Sequence, residues 1–152
     1  MGEENLQKDY RLTLEIVNEL WARTYNTDGK PDWSHILPYY DDEIYFKDTI
    51  QEIRGMVEFK EMTQRLTKRS TDLGMKLVRT AQHENDIFLE WEMTISFNKY
   101  PSSIMYGFSR LTLNENGKIA EQRDYYDLWG DIFDNIPYFA KRYRKFLKKK
   151  FG

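Results

Sequence analysis

Ile87-Phe88-Leu89-Glu90-Trp91-Glu92-Met93-Thr94-Ile95-Ser96-Phe97 is the stretch that decides the fold. Ile87, Leu89, Trp91, Met93, Ile95 and Phe97 alternate with Glu90, Glu92, Thr94 and Ser96. A strict period of two marks a half-buried β-strand, because successive side chains point to opposite faces. Its register is strongly specified. A slip of one residue would bury two unpaired glutamates, so Trp91, Met93 and Ile95 face inward and Glu90, Glu92 and Thr94 outward.

Working outward, Met75, Leu77 and Arg79 alternate with Lys76, Val78 and Thr80, and His83-Glu84-Asn85-Asp86 reads as a turn. Downstream, Pro101-Ser102-Ser103 reads as a turn and Ile104–Leu113 as a strand. Asn114-Glu115-Asn116-Gly117 reads as a hairpin turn, with glycine where positive φ is needed, and Lys118–Leu128 as the returning strand. Together these make a four-strand antiparallel meander. The N-terminal part is helical in pattern. Tyr10, Leu14, Val17 and Trp21, widened by Ile16 and Leu20, give a helix over 5–25. Asn26 to Pro31 is a turn, and Asp32 caps a short helix running through Tyr40. Glu43–Lys47 is a strand, Gly55 a break, and Met56, Phe59, Met62 and Leu66 a third helix ending at Lys68-Arg69. Ile136–Phe151 is a final helix. The pattern predicts an α+β domain: a strongly twisted, mostly antiparallel sheet forming a cone-shaped barrel, closed by three N-terminal helices, with an extra C-terminal helix. Residues 1–134 form the cavity domain and 135–152 a basic amphipathic helix.

The 152 residues suit one core, and 16% aromatics is a large payload of rings to bury or to line a pocket with. With no cysteine there is neither disulfide nor thiolate chemistry, and His35 and His83 are the only imidazoles. No metal site or cofactor is expected. The acidic N-terminus lacks the apolar core of a secretory signal, and no apolar run is long enough to span a bilayer, so a cytoplasmic location is expected. Net charge is −2, but residues 135–152 hold seven Lys/Arg and no acid, which leaves about −9 on the body. An acidic body argues against nucleic acid as a partner. In the tail, Ile136, Phe139, Tyr143 and Phe146 form a stripe beside the basic residues. Docking on the chain's own body or a twin subunit is favoured over an anionic membrane.

Two segments carry the chemistry. Trp33 to Gly55 contains Tyr39-Tyr40-Asp41-Asp42-Glu43-Ile44-Tyr45-Phe46-Lys47-Asp48, and the returning strand contains Arg123-Asp124-Tyr125-Tyr126-Asp127. Alternation puts Gln122, Asp124 and Tyr126 on one face. A carboxylate desolvated among aromatics has a raised pKa and suits proton transfer near neutrality.

These two motifs and the element order resemble the nuclear-transport-factor-2-like superfamily. The nearest likeness is to its SnoaL-like group of polyketide cyclases, ketosteroid isomerases and limonene epoxide hydrolase. The resemblance covers residues 6–130 and implies that Gln122, Asp124 and Tyr126 face a cavity. It implies that Asp48 stands where ketosteroid isomerases keep a proton-abstracting Asp. Asp124 stands where limonene epoxide hydrolase keeps a water-activating Asp, and Tyr45 at that enzyme's pocket tyrosine. Ser109 and Trp21 occupy the positions of the isomerases' second carboxyl and helix-one tyrosine, and Glu90-Trp91-Glu92-Met93-Thr94 replaces the hydrolase's Arg-x-Asp pair, so neither catalytic set is complete. The catalytic candidates are Asp124, Asp48 and Tyr45. The ligand-binding candidates are Trp21, His35, Tyr40, Trp91, Met93, Ser109, Gln122 and Tyr126. Two readings stay open: an acid-base enzyme (isomerase, cyclase or epoxide hydrolase type) on a hydrophobic oxygenated small molecule, or a non-catalytic binding module. The outer sheet face, with Glu90, Glu92, Arg110, Arg123 and Tyr125, is expected to pair across a two-fold axis as a homodimer.

Overall fold

A computed structural model describes residues 9–27, 30–97, 100–136 and 138–152. Its elements are α1 (Leu14–Leu20), β1 (Tyr40–Lys47), β2 (Glu52–Arg54), α2 (Met56–Arg69), β3 (Ser70–His83), β4 (Asp86–Phe97), β5 (Tyr100–Leu113), β6 (Ile119–Tyr126) and α3 (Phe139–Phe151). One six-stranded sheet runs in the order β2-β1-β6-β5-β4-β3. All its pairings are antiparallel except β1 with β6. The fold is α+β, as expected, but the sheet is open: β2 and β3 are its edges, and the cone is not a closed barrel.

Inside β4 the expected alternation holds. Ile87, Leu89, Trp91, Met93 and Ile95 are buried, and Glu90 is exposed. Gly107 faces Trp91 across the β4–β5 ladder, and a Cβ there would fall 2.2 Å from the indole ring. The strand therefore lets the indole lie against bare backbone, a close approach that only glycine permits. The β3 edge is blunted by Asn26, whose amide donates to the Met75 carbonyl (2.7 Å) and accepts from the Met75 N–H (2.9 Å). That satisfies edge groups that would otherwise template another strand.

Several elements differ from the sequence expectation. The first helix starts only at Leu14. Thr13 caps it, accepting from Ile16 N, and the Leu12 N–H is already committed to the Gly117 carbonyl (2.8 Å). Residues 5–8 of the expected helix lie outside the described residues. Past Leu20 the chain tightens into a 3₁₀ turn, Trp21–Thr24. The expected helix 32–40 is a turn followed by a single 3₁₀ turn at Leu37–Tyr39, since Pro38 cannot supply the N–H that a continuing helix needs. β2 was not anticipated. Asp48 accepts from the N–H groups of Ile50 and Gln51 (both 2.8 Å) and so folds the chain back, while Gly55, at φ +86°, lets its N–H reach the Ile44 carbonyl (2.8 Å). β5 already begins at Tyr100, so Pro101–Ser103 lies in the strand and does not form the turn. After β6 a π-helical turn, Leu128–Ile132, and a 3₁₀ turn, Phe133–Asn135, lead to α3. The final helix thus begins at Phe139, and Asn135 is tied to the body by donating to Ser103 Oγ (2.9 Å).

Candidate functional site

The inner sheet face, the 21–40 segment, α2 and the 128–136 segment together enclose a cavity of about 760 Å³. Its walls are chiefly aromatic and aliphatic. Ile50, Arg65 and Arg69 line it yet remain exposed, which places the mouth between the β1–β2 turn and the C-terminal half of α2.

Its polar content converges on Asp124. On β6 the side chains alternate, so Gln122, Asp124 and Tyr126 reach the cavity together. Asp124 Oδ1 accepts from Ser109 Oγ (2.6 Å) and from Gln122 Nε2 (3.0 Å). Ser109 Oγ in turn accepts from Trp91 Nε1 (2.9 Å), and Gln122 Oε1 accepts from the Tyr40 hydroxyl (2.6 Å). An indole N–H can only donate, so the Ser109 hydroxyl proton must point at Asp124. Every link therefore runs toward one oxygen. Oδ2 has no protein partner among the described residues and borders the cavity. Burial raises the Asp124 pKa from 3.8 to about 6, against the lowering by the Ser109 and Gln122 hydrogen bonds, with the Asp48 charge adding to the rise.

Asp48 sits at the end of β1. Its Oδ1 holds the turn described above, and its Oδ2 accepts from the Tyr126 hydroxyl (3.0 Å). Burial, then the Asp48 charge, drives the Tyr126 phenol pKa well up, and burial does the same for Tyr40. Tyr25 was missed by the sequence reading. Burial first and the Asp124 charge second hold its phenol neutral, and no described acceptor takes its proton. Its signal was present: Tyr25 follows Trp21 by one helical step on the same stripe. The 128–136 segment, contributing Leu128, Ile132, Phe133 and Ile136 to the wall, gave no such signal.

The structure brings together Asp124, Asp48, Trp21, Tyr40, Trp91, Met93, Ser109, Gln122 and Tyr126 on the cavity wall. Two candidates lie elsewhere. Tyr45 is on the opposite face of β1 from buried Ile44 and Phe46; it donates to Glu52 (2.9 Å) under the Arg54 guanidinium, 4.3 Å from its ring centre. His35 is half-buried outside the cavity. Its Nε2 donates to the Leu20 carbonyl (3.2 Å) beside Thr24 Oγ1 (3.2 Å), tying the end of α1 to the following turn. Among the described residues there is no group of three or more His, Cys, Asp or Glu placed to hold a metal. No described helix is long and apolar enough to cross a membrane.

A curled sheet around an apolar cavity, closed by N-terminal helical segments, is the nuclear-transport-factor-2-like fold. A protein from Catenulispora acidiphila with a ketosteroid isomerase-like fold, in complex with trimethylamine, superposes with a TM-score of 0.64 at 14% identity, over 77% of this chain and 88% of that one. A limonene-epoxide-hydrolase-like epoxide hydrolase of M. tuberculosis gives 0.63 at 15% identity, over 91% and 98%. A SnoaL-like protein from Shewanella putrefaciens gives 0.62 at 13%, over 79% and 81%. At these identities the likeness is one of fold. The chain belongs to the family of uncharacterised conserved proteins DUF2358, which matches residues 10–122. No curated protein matches it in sequence.

Proposed function

We propose that the cavity binds a hydrophobic, oxygenated small molecule and that Asp124 moves a proton on it. The observation that carries this is the one-sided hydrogen bonding of Asp124. With Oδ1 accepting twice, the proton of the neutral acid resides on Oδ2, aimed into the cavity. A carboxyl near pKa 6 is poised to take up and return a proton close to neutral pH. The Tyr25 phenol oxygen accepts from Trp33, which leaves its own proton to hold an oxygen of the ligand, and Trp21, Trp91 and Met93 supply apolar wall. Asp124 lies deep in the wall, while the wall's cations, Arg65 and Arg69, are exposed at the mouth. The buried part of the ligand is therefore uncharged, and any anionic group it carries stays at the mouth.

A second reading, a non-catalytic binding module, is favoured by the other two phenols. Tyr40 and Tyr126 spend their protons on Gln122 and Asp48, which leaves little to stabilise a developing oxyanion. Native mass spectrometry of the purified chain, with extraction and identification of any retained compound, tests the shared part: an empty cavity under native conditions counts against both. Asp124→Asn then separates them. Loss of turnover of the identified compound with retained binding supports the enzyme, and an absence of turnover in both forms supports the binding module.

A further inference from the structure

Helix α3 is the largest feature that the cavity does not use. None of its residues is buried. On a helical wheel Phe139, Ala140, Tyr143, Phe146, Leu147 and Phe151 share one arc, flanked by Arg142 and Arg144, with Lys141, Lys145, Lys148 and Lys149 behind it; Lys150 enters the arc in the last turn, where a long side chain can carry its charge out to the polar side. Only the first turn of that arc has a partner: Phe139 and Tyr143 stack on Trp129 with ring centres 5.8 and 5.4 Å apart. Beyond it Phe146 is 53% and Phe151 82% exposed, and Tyr138, just before the helix, is 90% exposed. The expected docking on the chain's own body therefore stops after one turn. Arg144 grips Asp134 through two bonds (2.7 and 2.8 Å) and fixes the helix to the 133–135 turn.

We propose that α3 lies on an anionic membrane surface, its apolar arc sunk into the interface and its lysines over the headgroups. Two independent features select this occupant. Charge is one: seven cations stand in residues 135–152 with no acid, and Arg144 is the one with a described acidic partner. Shape is the other. Exposed rings stand toward both ends of the helix, Phe139 at its start and Phe146 and Phe151 in its last two turns, over roughly 20 Å at 1.5 Å per residue, a spread that a planar apolar medium covers at once. Nucleic acid would answer the cations and leave the rings bare. A second copy offers acidic charge, but its exposed sheet carries Ile104, Tyr106 and Phe108 among charged neighbours. The proposal stands apart from the cavity reading, although Phe133 both lines the cavity and stacks on Trp129 and Phe139, so docking would bring the cavity wall to the lipid.

The test is co-sedimentation of the full chain with vesicles of phosphatidylcholine alone and of phosphatidylcholine with phosphatidylserine. Binding is expected only with phosphatidylserine. Lys148→Gln, Lys149→Gln and Lys150→Gln together should weaken it by roughly 100-fold, at about fivefold per charge. Phe146→Ala with Phe151→Ala should weaken it at least about tenfold at unchanged charge. All five positions are exposed, and far-ultraviolet circular dichroism checks that the fold survives. No sedimentation with phosphatidylserine vesicles overturns the proposal. Binding unaffected by the phenylalanine pair also overturns it, since that would be plain electrostatic adsorption. A phenylalanine pair that turns a dimer into a monomer, with vesicle binding absent throughout, overturns it in favour of a second copy.

Discussion

Replacing Asp124 by Asn should stabilise the protein at neutral pH, and the gain should vanish in acid. The folded-state pKa of about 6 against 3.8 is a shift of about two units, and at 1.36 kcal/mol per unit ionising Asp124 in place costs about 3 kcal/mol. The sign follows from proton uptake. Below pH 3.8 the carboxyl is protonated in both states and contributes no difference. Between 3.8 and 6 only the unfolded chain is ionised, so stability falls as pH rises; above 6 the full cost is present. Asparagine keeps the shape, its carbonyl can accept from Ser109 and Gln122, and its amide can face the cavity. The difference between variant and parent should thus grow from near zero at about pH 4 to about 3 kcal/mol at about pH 7.5, with water in the cavity reducing the upper figure. Urea unfolding followed by tryptophan emission at several pH values measures it, and taking the difference cancels every other titrating group. A difference that is flat with pH, or a variant less stable than the parent at neutral pH, would refute the cavity-acid reasoning and leave Asp124 as a structural hydrogen-bond acceptor.

Ser109→Ala removes a donor to Asp124 and strands the Trp91 N–H. It should cost about 1–3 kcal/mol and move the Asp124 titration to higher pH, readable by carboxyl NMR. Gly107→Ala should cost about 1–3 kcal/mol through the clash with the indole; pairing it with Trp91→Val in a double-mutant cycle should return a favourable coupling, and strict additivity would mean the strand simply shifts. The outer sheet face exposes Ile104, Tyr106, Phe108 and Tyr125 and is predicted to join two copies. Tyr106→Glu with Phe108→Glu should give a monomer by light scattering, and a parent that is already monomeric at micromolar concentration would end that expectation.

The sheet was legible because β4 and β6 alternate cleanly, whereas in β3 the expected face of Met75 and Leu77 does not carry on to Arg79, which a bulge after Leu77 leaves exposed. β4 announced its inner face through Trp91, Met93 and Ile95, and β6 placed Gln122, Asp124 and Tyr126 together. Tyr45 went wrong for the same reason that those went right. The family likeness put it in the pocket, while the apolar neighbours Ile44 and Phe46 required it to point out. His35 was hidden because imidazole serves equally as a carbonyl-bound brace, and nothing local distinguishes the two uses. The late start of α1 has a tertiary cause: Leu12 pairs with Gly117, far along the chain, and periodicity does not show that competition. The missing β2 is too short to show alternation.

The single parallel pairing in the sheet dictates the order in which this molecule can fold. β3 to β6 are sequential hairpins that can zip locally, whereas β1 must wait for a strand half a chain length away, β6. Tyr40 meets Gln122 across 82 positions and Tyr126 meets Asp48 across 78. Such closures carry the largest entropy loss and come late. Until then Trp91, Met93 and Ile95 present an uncovered apolar surface, and the two acids are strangers to each other. Slow docking of the first third of the chain should therefore govern both the rate at which a competent site appears and the time during which nascent molecules are vulnerable to aggregation.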